Sequence, residues 1–332
     1  MFWGRKRYND KLMIVFWLFL TFFFCLVLIK ASDILLVNLK SLALQTGIGS
    51  FAITGLIVAL AASLPELSVG VAAGFRGEPN LSLGNVVGAN IANLSLVIGG
   101  AALIGGAVTV HGTFLRRDVF YAFLAGAAPM LLLTDRVLSR IDGLILLSLY
   151  GFYQLMVFEE QKKRAADKGG FINRLLRRLN HRGTKQELGW IFLGVVLLLF
   201  SADMIVRLAS KIALSLNIPI LLIGLVLVAI GTTLPELTFE IEVIRSHQPT
   251  MVFGNLLGSI VANGTLIIGL VALISPIRIQ AFSEYLLATM AFVIAFGIFY
   301  LFVRTKHRLE RWEGAFLIGF YLAFVLGEFI HP

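Results

Sequence analysis

The chain has 332 residues, 58% of them hydrophobic and 14% charged, with a formal net charge of +9. Apolar runs of about membrane-spanning length recur from end to end, which excludes a water-soluble globule and points to a polytopic helical membrane protein. Ten-residue stretches of alternating polarity, the mark of a membrane barrel, do not stand out. The basic excess is not gathered on a soluble domain, so nucleic acid is not an expected partner.

The start carries Arg5, Lys6, Arg7 and Lys11 ahead of an apolar run, in the manner of a secretory signal. That run is long for a signal core, so it is read as the first of ten spans. Five spans fall near 12–30, 42–75, 80–107, 118–134 and 141–158. Glu159 to Glu187 then forms the longest polar interruption, too short for a separate regulatory domain. Five more spans follow near 188–209, 217–244, 250–275, 281–303 and 312–330. The expected organisation is all-α: residues 1–158 as a first repeat of five helices, 159–187 as a basic cytoplasmic linker, and 188–332 as a second repeat of five. Within the linker, Phe171–Leu179 has an apolar helical stripe flanked by arginines. It reads equally as a helix lying on an anionic inner leaflet and as plain positive-inside charge. The single cysteine, Cys25, has no partner for an intrachain disulfide.

The two halves share a sentence 170 positions apart. Val58-Ala-Leu-Ala-Ala-Ser-Leu-Pro-Glu-Leu67 returns as Val228-Ala-Ile-Gly-Thr-Thr-Leu-Pro-Glu-Leu237. Without a gap, 15 of the 42 residues from Val58 to Gly99 equal their partners from Val228 to Gly269, including Pro65 and Pro235, Glu66 and Glu236, Gly84 and Gly254, Asn85 and Asn255, Gly88 and Gly258, and Asn93 and Asn263. An odd number of spans per half forces the second copy into the membrane upside down, as an inverted repeat. With both termini outside, the cytoplasmic segments hold the larger share of the 28 Lys and Arg, nine of them in the central linker.

Each motif has a physical reading. A carboxylate at membrane depth costs roughly 2.5 kcal/mol or more, so a repeated pair without compensation is not decoration. Proline lacks an amide hydrogen and displaces the carbonyl four residues back, so Pro65 is expected to loosen Ala61 and Pro235 to loosen Gly231. Carboxylate, carbonyl and hydroxyl oxygens suit Ca2+ or Na+, whereas zinc or copper would call for His or Cys. Glycines four apart in Gly84-Asn-Val-Val-Gly88 and Gly254-Asn-Leu-Leu-Gly258 allow close helix approach, with Asn93 and Asn263 near the same face.

These paired segments, occurring twice, resemble the two alpha repeats of the calcium/cation antiporter superfamily, and are most similar to sodium/calcium exchangers. The alpha-1 motif covers about 55–100 and the alpha-2 motif about 225–270. The resemblance implies a central site in which Glu66 and Glu236 are the principal Ca2+ carboxylates, joined by backbone oxygens of Ala62 and Thr232. Family positions for sodium contacts fall on Ala59, Ser63, Ala229, Thr232, Thr233 and Ser259, with Asn93 and Asn263 between the glutamates. Ca2+ and Na+ are then substrates, and no cofactor is implied. The chain departs from the family at Ala61-Ala62-Ser63, where Gly-Thr-Ser is usual, and at Ala89, where the partner Ser259 keeps a serine. Asn263 stands where several relatives carry aspartate, which argues against potassium coupling.

Two carboxylates neutralise one Ca2+, and the empty ionised site is costly to carry across, which favours exchange over leak. The alternative is a Ca2+/H+ exchanger using the same glutamates. A channel or an intramembrane enzyme fits less well: no His-Glu-x-x-His or Gly-x-Ser-x-Gly motif is present. Glu240 and Glu242 have Gly70 and Ala72 as counterparts, so a cytoplasmic cavity mouth or helix-end solvation is the expected role. Asp33 and Asp203 are expected to cap or position helices. His111, His181, His247, His307 and His331 fall at loops or ends and form no expected metal cluster. Short loops fit a minimal prokaryotic exchanger of an inner membrane, in contact with lipid; no protein partner is legible.

Overall fold

The computed structural model describes residues 2–45, 63–109, 112–166, 184–245, 249–306 and 308–330. Helices dominate these residues. In chain order they are α1 (Phe2–Gln45), α2 (Leu64–Phe75), α3 (Pro79–Gly105), α4 (Gly112–Leu132), α5 (Arg140–Ala166), α6 (Thr184–Leu216), α7 (Ile220–Arg245), α8 (249–274), α9 (Phe282–Lys306) and α10 (Arg311–Ile330). Three of them contain wide π-helical turns: Asn93–Val97 in α3, Ile223–Val228 in α7 and Ala262–Ile267 in α8. Among the described residues, eight helices are long and apolar enough to cross a membrane. Against the ten spans expected, α2 has 12 described residues and α5, at 27 residues, does not reach that apolarity.

The first helix differs from the expected outline. It runs unbroken through Lys30 and Asp33 to Gln45, because Ala31–Gln45 contains neither proline nor glycine to stop it. Asp33 and Asp203 therefore lie inside α1 and α6 and cap nothing. Asp33 pairs with Lys30 at 3.5 Å on an exposed surface. Asp203 accepts hydrogen bonds from Arg76, in the turn after α2, and from Arg207 at 2.9 Å, so it ties α6 to the α2–α3 turn. This partly exposed cluster positions the turn more than it stabilises the fold.

Burial sorts the helices into centre and periphery. The spanning windows of α3, α8 and α7 are 83, 72 and 67% buried, against 17–39% for those of α1, α4, α6, α9 and α10. The outer helices expose apolar side chains such as Phe16, Phe19, Phe192, Leu199, Met290 and Phe329, the composition of a lipid-facing surface. α1 packs lengthwise on α6 along one flank. A larger apolar core joins α3, α7 and α8 to α4, α5, α9 and α10.

The 170-residue correspondence reappears in the packing. A Cβ at Gly99 of α3 would meet the Gly314 carbonyl of α10 at 2.6 Å; a Cβ at Gly143 of α5 would meet the carbonyl of Gly269, the Gly99 counterpart in α8, at 2.8 Å. Two short antiparallel pairs also correspond: Val108–Thr109 with Arg308–Leu309, and Ile277–Arg278 with Val137–Leu138. Each clips a segment of one half to a segment of the other. α3 and α8 both begin at a proline, Pro79 and Pro249, where the missing amide hydrogen has no intrahelical role.

The tightest crossing is between α3 and α7. A Cβ at Gly84 would land on the Leu221 carbonyl oxygen, one at Gly88 on the Leu225 carbonyl oxygen, and one at Gly224 on the Leu81 carbonyl oxygen. The glycine spacing read from the sequence is thus a backbone-to-backbone contact in the first half. At Gly254 and Gly258 an added Cβ meets nothing within 4 Å among the described residues; Phe51 and Gly55, the counterparts of Leu221 and Leu225, lie outside them.

Gly88→Ala is expected to lower the melting temperature of the purified protein. The gain of roughly 1 kcal/mol in helix propensity is outweighed by about 1–3 kcal/mol of overpacking against a carbonyl. Gly151→Ala in α5, where an added Cβ meets nothing within 4 Å, is expected to be neutral or slightly stabilising in the same thermal melts.

Candidate cation site

Four central helices carry the candidate residues. α2 opens with Ser63 just before it and with Pro65 and Glu66 in its first turn. Proline is accommodated there because first-turn amides lack intrahelical acceptors. In the second copy Pro235 lies inside continuous α-helix from Ala229 to Arg245. The irregular backbone sits instead at Ile223–Val228, upstream of the motif, so the expected break near Gly231 is displaced. Gly231 has a packing reason for its identity: a Cβ there would meet Cys25 Sγ of α1 at 2.6 Å.

The two asparagines mark irregular backbone of their own. Asn93 begins the π-helical turn of α3, and Asn263 is the second residue of the π-helical turn of α8. A π-turn inserts a residue and rotates the following side chains, a device frequent at functional sites. Ser95 and Thr265, also 170 apart, return their hydroxyl hydrogens to the carbonyls of Ile91 and Val261 within these turns.

Glu66 and Glu236 are 1% and 5% exposed. The helices that carry them, α2 and α7, are in contact. The Thr232 hydroxyl of α7 lies within donating distance of Asn85 Oδ1 of α3 and of the Ala229 carbonyl, 3.3 Å from each. Thr233 Oγ1 donates to the same Ala229 carbonyl at 2.8 Å. Asn263 Nδ2 donates to Asn90 Oδ1 at 3.0 Å, joining α8 to α3.

Eight further polar atoms of the cluster are unsatisfied. Both Glu66 oxygens, Glu236 Oε2, Ser63 Oγ, Ser259 Oγ, Asn263 Oδ1 and both polar atoms of Asn93 are buried without a hydrogen-bond partner among the described residues. Native interiors pair nearly all such groups, and an unpaired one costs about 1–3 kcal/mol. Carboxylate, hydroxyl and amide oxygens together make a donor set for a hard cation such as Ca2+ or Na+. Of the sequence-derived set, Glu66, Glu236, Ser63, Thr232, Thr233, Ala229, Ser259, Asn93 and Asn263 all lie on these central helices. Ala59 and Ala62 fall outside the described residues, as do the five histidines and the Phe171–Leu179 stripe.

The sequence reading gave no site role to four contributors. Asn90 has Ile260 as its counterpart, so identity did not mark it; an amide one helical turn before Asn93 was the available signal. Asn85 and Asn255 were read only as repeat identities. Glu240, expected at a solvated cavity mouth or helix end, is 1% exposed and accepts a 2.8 Å hydrogen bond from Asn255 Nδ2. The reason for the difference is packing: α7 continues past Glu240 to Arg245 and rests on α8 there.

Asn90→Ala is expected to lower thermal stability by about 1–3 kcal/mol, because it strands the Asn263 amide in a dry interior. Thermal unfolding of purified wild type and variant checks it. A double variant Asn90→Ala/Asn263→Ala is expected to lose less than the sum of the single changes.

Residues 15–159 and 187–329 match the model of the sodium/calcium exchanger protein family. The sodium/calcium exchanger MaX1 of Methanosarcina acetivorans is 29% identical, covering 90% of this chain and 94% of its own. The inner membrane protein YrbG of Escherichia coli K12 is 30% identical over 76% of this chain and 78% of its own. Among solved structures, the sodium-calcium exchanger NCX_Mj, soaked with 2.5 mM Na+ and 10 mM Sr2+, superimposes with a TM-score of 0.59 at 26% identity, covering 95% of this chain and 98% of the other.

Proposed function

The chain belongs to the sodium/calcium exchanger protein family, an integral-membrane family of cation exchangers, and on that footing we propose that it exchanges Ca2+ for Na+ by alternating access to the buried site of Glu66 and Glu236. The observation that carries this reading is the pair of buried carboxylates, three of whose four oxygens lack a hydrogen-bond partner among the described residues. Ten spans in two inverted repeats, joined by a cytoplasmic basic linker at 159–187 and with both termini outside, are the arrangement that goes with it. The repeated strand pairs and glycine contacts support the repeats, and the Lys and Arg distribution supports the orientation. An inner membrane of a prokaryote is the proposed residence.

The mechanism follows from charge and geometry. Glu66 and Glu236 supply two negative charges, which one Ca2+ balances; Na+ ions balance them when they replace it. Asn93, Asn263, Ser63 and Ser259 offer neutral oxygens, while Thr232 and Asn85 brace the glutamate helix against α3. Backbone oxygens of Ala62 and Thr232 would complete the Ca2+ shell, with Ala59, Ala229 and Thr233 on the sodium side of the exchange. A site emptied of cations leaves two like charges desolvated at close range, and moving it between faces is costly. The loaded protein switches; the empty one does not. Exchange rather than leak is the consequence.

Proton coupling is the second reading. It is favoured by one observation: alanine at positions 62 and 89, where the second half has Thr232 and Ser259, gives the first half two fewer hydroxyl ligands. The same glutamates would then alternate between Ca2+ and protons.

Reconstituted vesicles distinguish these readings. Under an imposed Na+ gradient, wild type is expected to accumulate Ca2+; under a pH gradient alone it is expected to stay near background. Glu66→Gln and Glu236→Gln are each expected to reduce Na+-driven Ca2+ uptake at least about 100-fold, consistent with losing 2.7 kcal/mol or more of ion-binding free energy. Uptake driven equally by a pH gradient would replace Na+ by H+ as the coupling ion. Normal uptake in both variants would exclude the glutamate site.

A further inference from the structure

Glu240 has not been absorbed by a site built on two glutamates. It lies one helical turn beyond Glu236 on α7, where residues four apart are neighbours on one face, about 5–6 Å between Cβ atoms. Asn255 of α8 holds one oxygen, donating from Nδ2 to Glu240 Oε1 at 2.8 Å. The other, Oε2, is buried with no hydrogen-bond partner among the described residues, as is Glu236 Oε2.

The first half has nothing equivalent. Gly70 stands at the counterpart position, and a Cβ there would meet Ile267 Cγ2 and Ser82 Oγ at 2.9 Å, so that half leaves no room for a carboxylate. The third acid belongs to one side only. Its charge also upsets the count: Na+ ions that replace Ca2+ balance Glu66 and Glu236 one for one, and an ionised Glu240 beside them adds one negative charge to be balanced in that sodium-loaded state. That charge, on a fixed and unpartnered oxygen, calls for one monovalent cation with oxygen ligands.

We propose that Glu240, positioned by Asn255, adds a Na+ position to the central site, one turn from Glu236 toward the Arg245 end of α7. A cation about 2.3–2.5 Å from each carboxylate spans the gap that i and i+4 side chains leave on one helix face. Glu240 is the ligand. Asn255 is the positioning residue, keeping Oε1 occupied so that Oε2 remains free. The inference rests on the exchanger reading above, since it assumes that Glu66 and Glu236 hold Ca2+.

Equilibrium binding of radioactive Ca2+ to the full-length purified protein, displaced by increasing Na+, tests it without transport. In Glu240→Gln the slope of Na+ displacement is expected to fall by about one ion, and the Na+ concentration for half displacement to rise about tenfold, a loss near 1.4 kcal/mol. Asn255→Ala is expected to raise that concentration roughly tenfold while keeping the slope, the signature of a ligand left in place but loosened. Glu240→Asp, which keeps the charge on a shorter stem, is expected to recover the slope; it serves if the glutamine variant does not fold. An unchanged slope and midpoint in Glu240→Gln with Ca2+ binding intact overturns this inference alone. Recovery of the slope by pH rather than by Na+ would make the third charge a proton's and overturn it as well. Failure of wild type to bind Ca2+ overturns the exchanger reading and this inference with it.

Discussion

Two carboxylates held out of water, with three of their four oxygens lacking a hydrogen-bond partner among the described residues, are the constraint around which the molecule is arranged. Glu66 and Glu236 come from helices of opposite halves, and their repulsion opposes the approach of those halves. Packing elsewhere must supply the attraction. It does so through backbone contacts that only glycine permits, at Gly84, Gly88 and Gly224 between α3 and α7. It does so again through amide and hydroxyl bridges, Asn263 to Asn90 and Thr232 to Asn85, which cross between the halves without introducing a compensating positive charge. A lysine or arginine in their place would neutralise the glutamates permanently and remove their demand for a mobile cation.

The amide bridges also explain why the site combines rigid and unsatisfied groups. Asn263 spends its donor on Asn90, which leaves its oxygen unpartnered; Thr233 spends its hydroxyl hydrogen on Ala229, which leaves lone pairs on the threonine oxygen. In each case the proton side of a bifunctional group is fixed by protein and the oxygen side is left over. That polarity suits cations and disfavours anions. The π-helical turns at Asn93 and at Ala262–Ile267 set the rotation of these side chains, so the irregular backbone serves orientation as well as ligand supply.

Much of this was legible in the sequence because the bilayer restricts the vocabulary. Carboxylates, prolines and asparagines stand out against apolar background, and repetition at 170 residues separated Glu66, Glu236, Asn93 and Asn263 from accident. Glycine spacing predicted a close crossing and α3 with α7 provides it. What escaped had one of two causes. Residues without a counterpart, Asn90 and Glu240, are invisible to a comparison of halves, and Glu240 was misplaced at a solvated end because nothing in a helix's sequence says how far its neighbours extend. Backbone geometry escaped as well: a proline in the sequence predicted a break near Gly231, but the helix passes through Pro235 and widens upstream, at Ile223–Val228, where the residues Ile-Gly-Leu-Val-Leu-Val carry no signal beyond apolarity.

The unequal halves bear on energetics. In an inverted-repeat exchanger the two access states arise when the halves trade conformations, and perfect symmetry would give those states equal free energy. This chain departs from symmetry at the candidate cation site. The second half contributes Thr232, Thr233, Ser259 and Glu240 where the first has Ala62, Ser63, Ala89 and Gly70. Under the exchanger reading, the extra carboxylate and hydroxyl oxygens on α7 and α8 weight the cation's coordination toward one access path, so a cation approaching from that side meets its ligands earlier. Under the exchanger reading, such a difference leaves the coupling rules unchanged, since both states still require the glutamates to be balanced, but it lowers one access state relative to the other and so sets which face the loaded protein presents at rest.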